Sequence, residues 1–161
     1  GKNRAVVFLD PYGMQVDWNL LVTIAKTHAI DLWLLFPLGM GVNRMLRKDG
    51  KLSDAWNQTL NRIFGDNSWE NIFYKKRSVQ TLFGEEENLC KDAGFEDIAR
   101  YFINERLGKA FEGKVVKEPL FLCNSKNSPL YLLCFASGAK KGSDTAIKIA
   151  KNIIERESGK R

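Results

Sequence analysis

Ala5-Val6-Val7-Phe8-Leu9-Asp10-Pro11-Tyr12-Gly13 is the stretch on which the fold turns. An unbroken apolar run, rich in β-branched and aromatic residues, ends in an acid, a proline, an aromatic and a glycine. Such a run suits a strand buried on both faces, as in a parallel sheet. Pro11 has no N–H to give to a ladder, so the strand must stop by Asp10. Gly13 accepts turn conformations that a Cβ would resist. Asp10 and Tyr12 are therefore expected at the carboxyl end of a buried strand, where open α/β sheets bind their ligands. The plainer alternative is a Pro-Tyr-Gly turn in which Asp10 only caps the next segment.

Beyond Gly13, Trp18, Leu21, Ile24 and Ala25 recur at helical spacing behind a capping Asp17. Ile30-Asp31-Leu32-Trp33-Leu34-Leu35-Phe36 is a second buried run, stopped by Pro37. Strand, helix and strand in this compass predict a βαβ unit with parallel strands. Gly39-Met40-Gly41 comes next and resembles half of a dinucleotide fingerprint. Arg44 stands where the third glycine belongs, and no acid closes a further strand about 20 residues on. The two glycines are read instead as a close-packed exit from the sheet. Asn43 and Arg44 are candidates for the same crevice as Asp10.

Leu52, Trp56, Leu60, Ile63 and Phe64 form an amphipathic helix ended by Gly65. Residues 69–74 are read as a short helix or loop, Lys75-Lys76-Arg77 as a solvated loop, and Gly84-Glu85-Glu86-Glu87 as an acidic turn opening a helix. Phe95, Ile98, Ala99, Phe102 and Ile103 give another helix, running to Phe111 and stopped near Gly113. The whole of 38–118 is thus expected to be helical or irregular, an insertion on the sheet. Pro119-Leu120-Phe121-Leu122-Cys123 and Leu130-Tyr131-Leu132-Leu133-Cys134-Phe135-Ala136 are two more strands, joined by a short polar link and so antiparallel neighbours. Gly142-Ser143-Asp144 caps a last helix, expected to turn Ala146, Ile149, Ala150 and Ile153 inward. The expected fold class is α/β: a partial Rossmann-like sheet with two parallel strands in a βαβ unit, a carboxyl-terminal antiparallel pair, and a helical insertion.

At 161 residues the chain suits one domain. The most apolar segment, 30–40, is broken by Asp31 and Pro37, so no membrane partner is expected. No secretory leader is recognisable, and cysteines without a Cys-x-x-Cys pair argue against a zinc site and for a reducing cytoplasm. Cys123 and Cys134 read as small core residues. A lone histidine, His28, supports neither a Ser-His-acid nor a Cys-His hydrolase. Glu85, Glu86 and Glu87 lack further ligands, so no metal is expected. A net charge of +6 is compatible with nucleic acid without demanding it. The first residue is Gly rather than Met, and the chain is expected to be part of a longer protein.

Three words of this sequence carry a resemblance: 8–13 (Phe-Leu-Asp-Pro-Tyr-Gly), 31–44 (Asp-Leu-Trp-Leu-Leu-Phe-Pro-Leu-Gly-Met-Gly-Val-Asn-Arg) and 124–136 (Asn-Ser-Lys-Asn-Ser-Pro-Leu-Tyr-Leu-Leu-Cys-Phe-Ala). The chain resembles the three-Cys-motif partner proteins, a bacterial and phage-associated family, over nearly its whole length. It is similar to the carboxyl-terminal half of their Rossmann-like, S-adenosylmethionine-dependent methyltransferase-type domain. The resemblance implies a methyltransferase in the full-length protein, with the cofactor's glycine turn and ribose-binding acid in the other half. It implies no cofactor bound by this piece alone, and a three-Cys-motif protein as partner. Asp10-Pro11-Tyr12 would stand for the Asp/Asn-Pro-Pro-Tyr/Phe motif of amino-group methyltransferases, although the second proline is absent and Tyr12 comes one place early. Asp10 and Tyr12 are then the catalytic candidates, with Pro11, Gly13, Asn43 and Arg44 as substrate-binding candidates. The alternatives are a non-catalytic interaction module and a basic nucleic-acid-binding domain. If 5–9 would be central in the full sheet, this piece has an open apolar edge there, expected to pair with a second copy or be covered by a rearranged segment.

Overall fold

The computed structural model describes residues 3–81 and 84–159, with the side chains of 79–81 and 86 outside the description. β1 (Ala5–Leu9) and β2 (Ile30–Phe36) run parallel, in register from Ala5↔Ile30 to Leu9↔Leu34. Between them lies α1 (Trp18–Lys26), whose N-cap Asp17 accepts the N–H of Asn19 at 2.8 Å. The described sheet has the order β1-β2-β6-β5, with β5 spanning Leu120–Cys123 and β6 spanning Pro129–Ser137. β6 is antiparallel to both its neighbours, so β5 points the same way as β1 and β2. The molecule is therefore mixed α/β, built on a mixed sheet, and the four strands stand where the apolar runs put them.

Alternation along the strands divides the core in two. Leu32, Leu34, Phe36, Leu132, Cys134 and Ala136 face the larger cluster, with α1 and the helices of 38–118. Trp33, Leu133 and Phe135 face the smaller one, under α6 (Ser143–Ser158). The larger layer holds a π-helical turn (Leu38–Asn43), α2 (Asp54–Phe64) and α3 (Trp69–Phe73). It also holds α4 (Phe95–Arg100), which continues through a π-helical segment (Tyr101–Leu107) into α5 (Gly108–Ala110). Ser53 caps α2 through Trp56 N–H, and Gly65 ends it at φ 90°.

Three expectations are overturned. β1 is not buried on both faces: it is an outer strand, and its Val6 and Phe8 side chains are exposed. Residues 38–118 are not wholly helical or irregular: β3 (Tyr74–Thr81) and β4 (Gly84–Lys91) form an antiparallel hairpin. Lys75-Lys76-Arg77 is strand rather than loop, and Gly84-Glu85-Glu86-Glu87 is strand rather than a helix-opening turn; the side chain of Glu86 lies outside the described residues. The register sets Lys75, Lys76 and Arg77 opposite Cys90, Leu89 and Asn88, and Lys76 reaches the neighbouring Glu87 at 2.9 Å, so the arm shows no apolar alternation. The inward face of α6 is also displaced. Ala150 and Ile154 are buried, while Ile149 and Ile153 are 56% and 46% exposed. Ile149 lines a groove at the β1 margin together with Ala5 and Val6. Its N-cap Gly142 takes a left-handed conformation and makes no side-chain cap.

Candidate functional site

The parallel register sets the carboxyl ends of β1 and β2 side by side. β1 delivers Asp10 and Pro11 to that end, and Gly13 turns the chain back at φ 59°. The Gln15 N–H donates to the Tyr12 carbonyl at 3.4 Å, and Asp17 then opens α1. The loop encloses a cavity of about 200 Å³, whose lining includes Leu9, Asp10, Tyr12, Val16, Leu20 and Leu34. Pro11 lines it too, whereas Gly13 only makes the turn.

The chemistry is an apolar floor with a polar rim. Asp10 is exposed and makes no hydrogen bond or ion pair with another described residue. Its two carboxylate oxygens are free to accept from a donor that enters the cavity. Tyr12 is 89% exposed, so its ring is free to wall a planar guest. Asp17 also lines the cavity; its Oδ1 takes the Asn19 N–H of the helix cap, which leaves Oδ2 to the rim.

The turn after β2 packs against this loop through Gly41 and Met14 but contributes no residue to the cavity lining. The Val42 N–H donates to the Pro37 carbonyl at 3.0 Å, closing the π-type turn. A Cβ on Gly39 would lie 1.9 Å from the Pro129 carbonyl oxygen, and one on Gly41 would lie 1.8 Å from Met14 Sδ. Both glycines therefore serve close packing, and protein atoms fill the space a phosphate would need. Asn43 and Arg44 do not line the cavity with Asp10. The Lys91 ammonium donates to the Asn43 side-chain and main-chain oxygens, the latter at 3.4 Å. Burial, helped by the charge of Lys48, holds the Lys91 pKa below its usual value. Arg44 is exposed.

S-adenosylmethionine does not fit these residues as a whole. The cavity is smaller than the ~300–1,000 Å³ of ordinary cofactor sites. Its second rim acid, Asp17, already spends Oδ1 on a helix cap, and the glycine cradles are filled. Among the described residues no His, Cys, Asp and Glu cluster could hold a metal. Cys134 is buried, which pushes its thiol pKa up, and Cys123 is half-buried. His28 sits in the turn before β2 at φ 51°, away from the cavity lining. The basic cluster is internally neutralised: Lys75 and Arg77 both pair with Asp92, and Lys76 with Glu87.

Gln15, Val16 and Leu20 line the cavity without having been singled out from the sequence. Leu20 carried a usable signal, being a large apolar residue off the buried stripe of α1 and 49% exposed. Met14 against Gly41 had none. Neither a protein-family model, nor a curated protein, nor a solved structure matches this chain. No described helix is long and apolar enough to cross a membrane.

Proposed function

We propose that this chain is the substrate-side half of a Rossmann-like, S-adenosylmethionine-dependent methyltransferase-type domain of the three-Cys-motif partner kind. The observation that carries the reading is an exposed acid, without a partner among the described residues, and an exposed aromatic over an apolar cavity at the carboxyl end of β1. The strand order lends support, since antiparallel β6 is wedged between β2 and β5, which point the same way. In this reading Asp10 accepts an N–H of a substrate amine and so fixes the direction of its lone pair. Tyr12 and the floor from Leu9 to Leu34 hold the group that bears the amine. This is catalysis by orientation. The methyl donor's own binding groups are expected in polypeptide outside these 161 residues.

Calorimetric titration of S-adenosylhomocysteine into this chain, and into the longest natural polypeptide containing it, tests the reading. Binding to the longer form alone is the expected result, and Asp10→Ala in that form should lower methyl transfer by about 100-fold, the cost of a misplaced reactant. Binding to neither overturns it. In that case the second reading, an interaction module, takes its place, favoured by the bare apolar margin at β1. The nucleic-acid reading has less to rest on, because its main basic cluster is already paired with acids.

A further inference from the structure

We infer that two copies of this 161-residue chain pair β1 to β1 about a twofold axis at Val7, joining two four-stranded sheets into one. β1 is an outer strand, and no described strand covers its free side. The Ala5 N–H donates to the Ala29 carbonyl at 3.0 Å, which fixes the phase of the ladder. Residues 5, 7 and 9 spend their backbone groups on β2, and Val6 and Phe8 present theirs to the open side. The side chains of Val6 and Phe8 are 69% and 59% exposed, so the edge is bare in both its polar and its apolar groups. An edge of this kind is a template for another strand.

The register selects a second copy as the occupant. With the axis at Val7, Val6 of one copy lies opposite Phe8 of the other, and the open N–H and C=O groups of both residues are satisfied reciprocally. The side-chain pair is a β-branched residue against an aromatic, a favourable cross-strand match. One step further out, Arg4 of one copy lies opposite Asp10 of the other, joining opposite charges. Arg4 is half exposed although it also reaches Asp31, and Asp10 has no partner among the described residues of its own chain. An axis at Phe8 would set Val6 against Asp10, and an axis at Val6 would set Arg4 against Phe8. Both lose the charge match. On the same face, Val6 and Ile149 line a groove of about 360 Å³ that Phe8 of the second copy approaches. The contact is isologous and closes at two copies. The opposite edge, β5, is protected by its four-residue length and a bulge at Leu122/Cys123.

In the longer polypeptide proposed above, another strand would compete for this edge. The pairing is a property of these 161 residues and stands or falls separately from methyl transfer, which the cofactor titration decides. Sedimentation equilibrium of the chain should show a dimer at micromolar concentration. Phe8→Pro removes an N–H that points outward and none that β2 uses, so circular dichroism should stay native while the dimer Kd rises about 100-fold or more. In a background with Cys90 and Cys123 changed to Ser, Val7→Cys should oxidise to a covalent dimer, since Cα atoms facing across the axis are about 4.5 Å apart. Ala5→Cys should not, its twin lying about 14 Å away along the strands. A wild-type monomer at every concentration, a folded Phe8→Pro that stays dimeric, or equal cross-linking from both cysteine positions would overturn the inference.

Discussion

Gly39 and Gly41 lie two places apart, yet their neighbours differ in how far they can yield. A methyl on Gly39 meets the Pro129 backbone, which β6 holds in place, whereas one on Gly41 meets the flexible end of Met14. Gly39→Ala should destabilise by about 2–3 kcal/mol, in the range of core overpacking, and Gly41→Ala by less, as read from urea midpoints. Tyr74 offers a pH-dependent test. Its hydroxyl donates to the Arg47 carbonyl at 3.0 Å, and burial, with the charges of Asp49 and Glu70, pushes its pKa from 10.0 up to about 12. The neutral phenol is thus favoured in the fold, so its stabilisation is whole below pH 10 and is lost as pH rises from there toward 12. Wild type should exceed Tyr74→Phe by about 1 kcal/mol near neutrality, the worth of one hydrogen bond. The gap should vanish near pH 11, where ionisation of the unfolded chain costs about as much; a gap constant with pH would refute this. Residues of this kind divide sharply in legibility. Asp10 and Gly13 announced themselves because an acid and a proline cutting off an apolar run have few explanations. The glycine contacts did not, because Met14 and Pro129 are remote in sequence from the positions they crowd.

The hairpin β3–β4 is the element that pattern reading missed, and its composition explains why. Helix and sheet periodicity both detect an apolar face, and the described side chains of this hairpin, from Lys75 to Leu89, are exposed. Its coherence comes from cross-strand pairing and from Asp92, whose carboxylate takes both Lys75 and Arg77 and is held below its usual pKa by those hydrogen bonds. Exposed pairs contribute only about 0–1 kcal/mol each, so the arm should open locally without unfolding the body. Asp92→Asn should therefore speed hydrogen exchange of the β3 and β4 amides and leave the global urea midpoint nearly unchanged. Equal loss in both would mean that the arm is part of the cooperative core. The face of α6 was misjudged for a different reason. Ile149 and Ile153 have the spacing of a buried stripe, and a sequence shows the spacing of apolar residues but not the sheet beneath them. Here the sheet ends at β1, where Ile149 lines an open groove with Val6, and Ile149 and Ile153 both stay about half exposed.

The long segment 38–118 is no appendage, because its apolar residues and those of the sheet enter one cluster. Phe64 is the joint. Its ring lies 6.3 Å from Phe36 of β2, 5.7 Å from Phe73 of α3, and 5.5 and 6.4 Å from Tyr101 and Phe102 of the π-helical segment. Phe36 stacks on Phe102 at 3.9 Å, so the sheet and the helical layer share rings rather than merely touch. Two layers that share their rings cannot separate without exposing both, and unfolding should be a single transition. Trp69 is fully buried on the helical side and Trp33 lies on the α6 side, so the two report from opposite faces of the sheet. Chains that keep only Trp33 or only Trp69, with the other three of the four tryptophans changed to Phe, should give coincident urea curves by fluorescence and circular dichroism. Phe64→Ala should move both curves together and cost about 3–5 kcal/mol, a large part of the ~5–15 kcal/mol by which domains are stable. If the Trp69 signal were lost first while the sheet signal persisted, 38–118 would be an independent layer, and its burial against Phe36 would not couple it to the site at the end of β1.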